Sequence, residues 1–137
     1  MKNIKHIIIL DDNKIDCFIN KKIISVIFPN IKTTVFNQGL DLINFFKKDI
    51  TYKEIPIPNI ILIDINMPFI NGFECINQLS VLNTFKKNTI DVYFLSSSQN
   101  KEDISKALNI ESCIGYINKP LTKNKLEEIL IKTRKGN

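Results

Sequence analysis

Asn59-Ile60-Ile61-Leu62-Ile63-Asp64 is an unbroken branched apolar run closed by a carboxylate. Strict alternation would mark a strand with one wet face. A continuous run of this length marks a strand buried on both faces, as in parallel sheets covered by helices. Three further runs behave alike: Ile4–Leu10 stops at Asp11-Asp12, Val92–Leu95 at Ser96-Ser97-Ser98, and Cys113–Asn118 at Lys119-Pro120. Apolar runs that each stop at a polar or ionisable residue are the pattern of parallel strands whose carboxyl ends share one crevice.

Segments of helical period separate these runs. Ile15, Phe18, Ile19, Ile23 and Val26–Ile27 predict a helix closed by Pro29-Asn30. The Thr- and Val-rich stretch 31–36 predicts an outer strand. Leu40, Leu42, Ile43 and Phe46 predict a short helix ending at the cations Lys47-Lys48, and 49–58, with Pro56 and Pro58, predicts a loop. A third helix from Gly72 to about Asn83 would present Phe73, Ile76, Leu79 and Leu82 on one stripe. Ile90–Leu95 is the fourth strand. Asn100, with Asp103 three residues on, predicts a capped helix turning Ile104, Ala107 and Leu108 inward. Thr122 caps a last helix with Leu126, Ile129, Leu130 and Thr133 inside. Five strand–helix units with right-handed crossovers give an open α/β sheet with helices on both faces. The expectation is a single domain over 1–137, core about 4–133, with no output domain.

The composition agrees. A length of 137 residues suits one domain, and 44% hydrophobic with 24% charged residues is ordinary for a soluble globule. Every apolar run is broken well short of the roughly 20 residues that span a bilayer. The basic lead Met1-Lys2 and the short apolar core after it meet Asp11-Asp12-Asn13, which is no signal-peptidase site, so a cytoplasmic location is expected. Cys17, Cys75 and Cys113 are odd in number and far apart, and the chain has one histidine, His6, so neither a disulfide framework nor a zinc site is expected. The net charge of +5 raises nucleic-acid binding only to weaken it: Arg134 is the single arginine, and the lysines are scattered among abundant Ile and Asn.

Chemistry concentrates at the strand ends. Asp11 and Asp12 cannot both ionise cheaply in a partly buried crevice unless a cation sits between them. With Asp64 they argue for a hard divalent ion, Mg2+ first, which keeps waters and uses few carboxylates. Asp64 is the natural nucleophile, ionised at neutral pH and able to attack phosphorus without a general base. Asn66 could offer its backbone carbonyl to the metal. Lys119 places an ammonium where phosphoryl oxygens develop charge, and Pro120 is a candidate cis proline. Pro68 and Gly72 shape a tight loop after Asp64, with Gly72 releasing the chain into the next helix.

With these residues in view, the chain resembles the receiver domain of two-component response regulators of the single-domain chemotaxis type. The matches are Asp11-Asp12, the string Asp64-x-x-Met67-Pro68-x-x-x-Gly72, a hydroxyl ending strand four, and Tyr116-x-x-Lys119-Pro120, over about residues 4 to 133. The resemblance implies a flavodoxin-like (βα)5 doubly wound sheet of order 2-1-3-4-5. It implies that Asp64 accepts phosphate from a sensor histidine kinase or phosphotransfer protein. Asp12, Asp64 and the Asn66 carbonyl would ligate Mg2+, and Asp11 would act mainly through water. Lys119 would contact the phosphoryl group, a serine hydroxyl would swing onto it, and Tyr116 would rotate inward behind. A downstream protein would then bind the face of the fourth helix, fifth strand and fifth helix, with the domain a monomer or a dimer formed on phosphorylation. Such a domain is a signalling module, catalysing only its own phosphorylation and slow dephosphorylation. Counting forward along the strand gives Ser96 as the switch hydroxyl, and counting back from Lys119 gives Ser97. Ser96 is preferred because it directly follows the strand, with one extra residue expected in the next loop.

Competing chemistries fit less well. A haloacid-dehalogenase-like phosphatase would carry a second Asp two residues after the nucleophile, where this chain has Asn66. A flavodoxin-like electron carrier would need a hydroxyl-rich phosphate loop where Asp11-Asp12 stands. A degenerate receiver that binds partners without phosphorylation remains as the alternative.

Overall fold

The computed structural model describes residues 4–48, 57–97 and 99–135. Elements follow in the order β1 (His6–Leu10), α1 (Lys14–Ile27), β2 (Lys32–Phe36), α2 (Gly39–Lys47), β3 (Ile60–Asp64), α3 (Gly72–Leu79), α4 (Asn83–Lys86), β4 (Asp91–Ser96), α5 (Lys101–Leu108), β5 (Cys113–Asn118) and α6 (Lys123–Lys135). The strands form one parallel sheet in the order β2-β1-β3-β4-β5, which is the order expected. The three central strands β1, β3 and β4 are buried throughout, whereas edge strands β2 and β5 are mostly half-exposed. Three of the four continuous runs therefore did mark strands covered on both sides, whereas Cys113–Asn118 forms the half-exposed edge strand β5.

Alternate residues of each central strand feed two cores. Ile8, Leu10, Ile61, Ile63, Val92 and Phe94 pack with residues of α2, α3, α4 and α5. Ile7, Ile9, Ile60, Leu62, Tyr93 and Leu95 pack with α1 and α6. Each fully buried Ile or Leu contributes roughly 1.5–3 kcal/mol, and the sum offsets the cost of holding carboxylates nearly out of water at the strand ends.

The helical faces needed correction. In α1 the buried residues are Cys17, Asn20 and Ile24, while Ile15, Phe18, Ile19 and Val26 face solvent. This helix carries two stripes of helical spacing, and the N-cap chooses between them. The Asn13 side chain accepts from the N–H groups of Ile15 and Asp16, and the Cys17 thiol donates to the Asp11 carbonyl, which turns Cys17 under β1. Leu40 and Leu108 are also exposed, and only Ala107 of the α5 trio is fully buried. The Asn100 side chain does cap α5, accepting from the Glu102 N–H. Thr122 accepts from the Lys125 N–H, and Leu126, Ile129 and Leu130 are buried as expected, the Thr133 side chain lying outside the described residues.

The third helix stops at Leu79 instead of reaching Asn83. Ser80 donates its hydroxyl to the carbonyls of Ile76 and Asn77, and the chain restarts as the single turn α4, which buries Phe85. Most of the expected 49–58 loop lies outside the described residues. Where one extra residue was expected in the loop after β4, a bulge stands in β5: Val92 pairs with Cys113 and Tyr93 with Gly115, so the register skips Ile114.

Candidate functional site

The cleft lies where β1, β3, β4 and β5 end. Leu10 is the last residue of β1, and Asp11 extends its ladder one step by donating its N–H to the Phe36 carbonyl at 3.1 Å. Asp11 is buried and accepts from the Asn13 N–H at 2.9 Å. Asp12 is exposed at the rim. Burial alternates within the acidic pair because the strand geometry persists through Asp11 and the helix cap begins at Asn13.

Asp64 closes β3 and pairs with Leu95 in the ladder. Its Oδ1 accepts a long bond, 3.4 Å, from the Asn66 N–H. The loop beyond is pinned by Gly72, which donates to the Ile65 carbonyl at 2.9 Å. A Cβ at Gly72 would lie 2.5 Å from the Asp64 carbonyl oxygen and 3.0 Å from Ile65 Cα. Gly72 is therefore required for close approach. Among the described residues no glycine has positive φ, and the left-handed residue of this loop is Phe69, at φ 68°.

Lys119 follows β5, donates its N–H to the Ser96 carbonyl at 3.0 Å, and precedes Pro120 through a cis peptide bond. Lys125 donates to the carbonyls of Asn118 and Pro120, which fixes this corner. The Lys119 ammonium lies 2.8 Å from Asp11 Oδ2, 3.1 Å from Asp16 Oδ2 and 3.5 Å from Asp64 Oδ2. Asp11, Asp12 and Asp64 can bring one carboxylate oxygen each within 4.8 Å of one another. An open cleft of about 520 Å³ is lined by Asp12, Asn13, Asp16, Asp64, Asn66, Ser97, Lys119 and Pro120.

Burial, and after it the negative charge of Asp11, push Asp64 up to about 6, against the pull of Lys119 and the Asn66 N–H. Asp64 is still mainly ionised at pH 7. Burial also works against the charge on Lys119. Hydrogen bonds to Asp11 and Asp16 and the charge of Asp64 outweigh it and hold this lysine above its usual range. Cys17, beneath the site, is pushed up to about 11 by burial and the carboxylates, so its thiol stays protonated.

The hydroxyl candidates differ in placement. Ser96 is the last residue of β4 and wholly buried, with its Oγ 3.5 Å from Asn66 Nδ2. Ser97 is exposed and lines the cleft. Tyr116 is outside the cleft lining: it pairs with Phe94 and packs, half-buried, against the α2–α5 core, two residues before the partner of Ser96 on β5 and so on the same sheet face. Asp16 was missed by sequence reading. Its place in the first turn of α1, just after the acidic pair that follows β1, was the available signal.

This arrangement defines the class, and the comparisons agree with it. The chain belongs to the response regulator receiver domain family, whose model matches residues 7–131. It is 26% identical over 132 residues to Response regulator Rcp1 of Synechocystis sp. (strain ATCC 27184 / PCC 6803 / Kazusa), covering 96% of this chain and 85% of that protein. A two-component response regulator from Cytophaga hutchinsonii superposes with a TM-score of 0.85 at 32% identity, covering 98% of this chain and 99% of that one. The Mn(2+)-bound form of response regulator Rcp1 shares the fold, with a TM-score of 0.72 at 23% identity over 92% of this chain and 88% of that one. Receiver domains are signalling domains rather than conventional enzymes and interact with histidine kinases or phosphotransfer proteins. Among the described residues no helix is long and apolar enough to cross a membrane.

Proposed function

We propose that this receiver accepts a phosphoryl group on Asp64 from a histidine kinase or phosphotransfer protein in a Mg2+-dependent reaction. The observation that carries the reading is the convergence of Asp11, Asp12 and Asp64 oxygens within 4.8 Å beside the Lys119 ammonium. This all-oxygen donor set fits a hard divalent cation, and the Mn(2+)-bound form of the relative Rcp1 supports that fit. Asp12 and Asp64 with the Asn66 carbonyl would hold the ion, Asp11 acting mainly through water. When bound, it would neutralise charge on the transferring phosphoryl oxygens and on the crowded carboxylates.

Asp64 supplies the nucleophile. One carboxylate oxygen forms the bond to phosphorus as the phosphorus–nitrogen bond of the donor phosphohistidine breaks; a donor ring already protonated on its other nitrogen takes the bond's electron pair and leaves as neutral imidazole. The Lys119 ammonium, within reach of Asp64, stabilises the charge on the phosphoryl oxygens. Ser96 then serves as the hydroxyl that bonds the phosphoryl group, with Tyr116 following it on the same sheet face. Taking the domain from 1% to 99% active needs about 5.5 kcal/mol of discrimination. One hydroxyl bond to a charged group contributes roughly 1.5–3 kcal/mol, so Lys119 and the cation must discriminate as well.

Two surfaces suit partners. The exposed apolar residues Ile15, Phe18 and Ile19 lie on α1, the helix whose Asp16 lines the cleft, and suit the donor, which must bring its phosphohistidine there. The α5–β5–α6 face, the fourth helix to fifth helix of the family pattern, suits the downstream protein. A cytoplasmic site of action and protein rather than nucleic-acid partners belong to the same reading.

Intact mass after acetyl phosphate, with and without Mg2+, tests it. A Mg2+-dependent gain of one phosphoryl group, absent in Asp64→Asn, is expected. No gain under any condition would favour a domain that binds its partner without phosphorylation.

A further inference from the structure

Asp16 is not among the carboxylates that can converge on one cation, yet it is the second-closest partner of the Lys119 ammonium, at 3.1 Å against 3.5 Å for Asp64. Its position is fixed by the start of α1. The Asn13 side chain accepts from the Asp16 N–H at 3.0 Å, and the adjoining Cys17 is turned under β1, so the Asp16 carboxylate is left facing the cleft it lines.

The three acidic partners of Lys119 differ in what they can do when a phosphoryl group arrives. Asp11 has almost no contact with water, with 2% of its side chain exposed, and cannot lose the lysine without another cation beside it. Asp64 is the group that becomes phosphorylated. Asp16 has 35% of its side chain exposed and can return to water at little cost. A lysine has three donor protons and a flexible stem, so a new anion on Asp64 draws it from its most easily released partner.

We propose that Asp16 is a positioning residue that holds Lys119 in the resting state and competes with the phosphoryl group on Asp64 for it. It thereby limits how tightly and for how long the phosphoryl group is held. The inference rests on the acceptor reading above and adds a determinant of phosphoryl affinity to it.

The test uses beryllofluoride with Mg2+ as the phosphoryl mimic, on the full chain and on Asp16→Asn, which keeps the side chain's size and loses its charge. Affinity is expected to tighten by about two- to fivefold, the scale of a partly exposed ion pair. Asp16→Glu should return it toward the wild-type value. Glu111→Gln removes one charge from a different pocket, beside the start of β4, and should change affinity little. In the metal-free protein, the Lys119 ammonium protons should exchange with water faster in Asp16→Asn than in wild type, read by nitrogen-15 NMR.

Unchanged beryllofluoride affinity in Asp16→Asn, or an equal gain in Glu111→Gln, overturns the proposal, whatever happens to thermal stability. Unchanged exchange at Lys119 overturns it as well. Should wild type bind no beryllofluoride, the acceptor reading fails, and the exchange measurement alone decides whether Asp16 holds the lysine.

Discussion

Replacing Asp64 with Asn should stabilise the metal-free protein at neutral pH, although it removes the proposed phosphoacceptor. Asp64 is 7% exposed, sits beside buried Asp11, and has only the longest of the three lysine contacts, at 3.5 Å. Its folded value of about 6 against 3.8 is a rise of about two units, on the order of 3 kcal/mol held against the ionised form. The folded state binds the proton more tightly than the unfolded chain. This contribution to stability is therefore present in full below pH about 3.8 and lost as pH rises through about 6. An asparagine there can still accept the Asn66 N–H while carrying no charge. Relative to wild type, the variant should gain about 1–3 kcal/mol above pH 7, and a domain of this size shifts Tm by roughly 3–5 °C per kcal/mol. Thermal melts of both proteins from pH 4 to 8 are the assay. The gap should be small at pH 4, grow to pH 6 and level off above. Adding Mg2+ to ten times its Kd should raise wild type by about 1.4 kcal/mol and the Asp64→Asn variant by much less, narrowing the gap. A variant no more stable than wild type at pH 7, or a gap independent of pH, would refute the account of a site strained by its own charge.

Three further outcomes follow from residues around the site. Gly72→Ala places a methyl 2.5 Å from the Asp64 carbonyl, so it should cost about 1–3 kcal/mol in urea unfolding and slow phosphorylation, because the backbone carrying Asp64 must move. Phe69 combines φ 68° with a 96% exposed ring, so Phe69→Asn, which tolerates that backbone, should gain about 1 kcal/mol while leaving acetyl phosphate uptake unchanged. Ser96→Ala should keep the phosphoryl mass gain and lower phosphorylation-dependent partner binding roughly tenfold or more, the worth of one charge-assisted hydrogen bond; full binding by the phosphorylated variant would remove Ser96 from the switch.

Much of this protein is legible in one dimension. The runs at Ile7–Leu10, Ile60–Ile63 and Val92–Leu95 are apolar without alternation because both faces of a central parallel strand are covered, and that constraint acts on every residue of the run. The strands open at their carboxyl ends into a polar cleft, which is why Asp11 and Asp64, and Lys119 after Cys113–Asn118, stand out in the sequence as residues that follow apolar runs. The inward stripes Phe73, Ile76 and Leu79 of α3 and Leu126, Ile129 and Leu130 of α6 were legible, but the face of α1 was not. In α1 the isoleucines are dense enough for two stripes, and the choice between them came from the Asn13 cap and the Cys17 contact with Asp11. The β5 bulge at Ile114 depends on pairing with β4, which no local pattern records. Asp16 joined the site for the same reason: its contact with Lys119 spans 103 residues of chain, and a distance of that kind is set by packing rather than by spacing. Sequence determined which residues end the strands; the tertiary structure alone decided which carboxylates share the lysine, because the four crossovers from β1 to β5 must pack before those side chains meet.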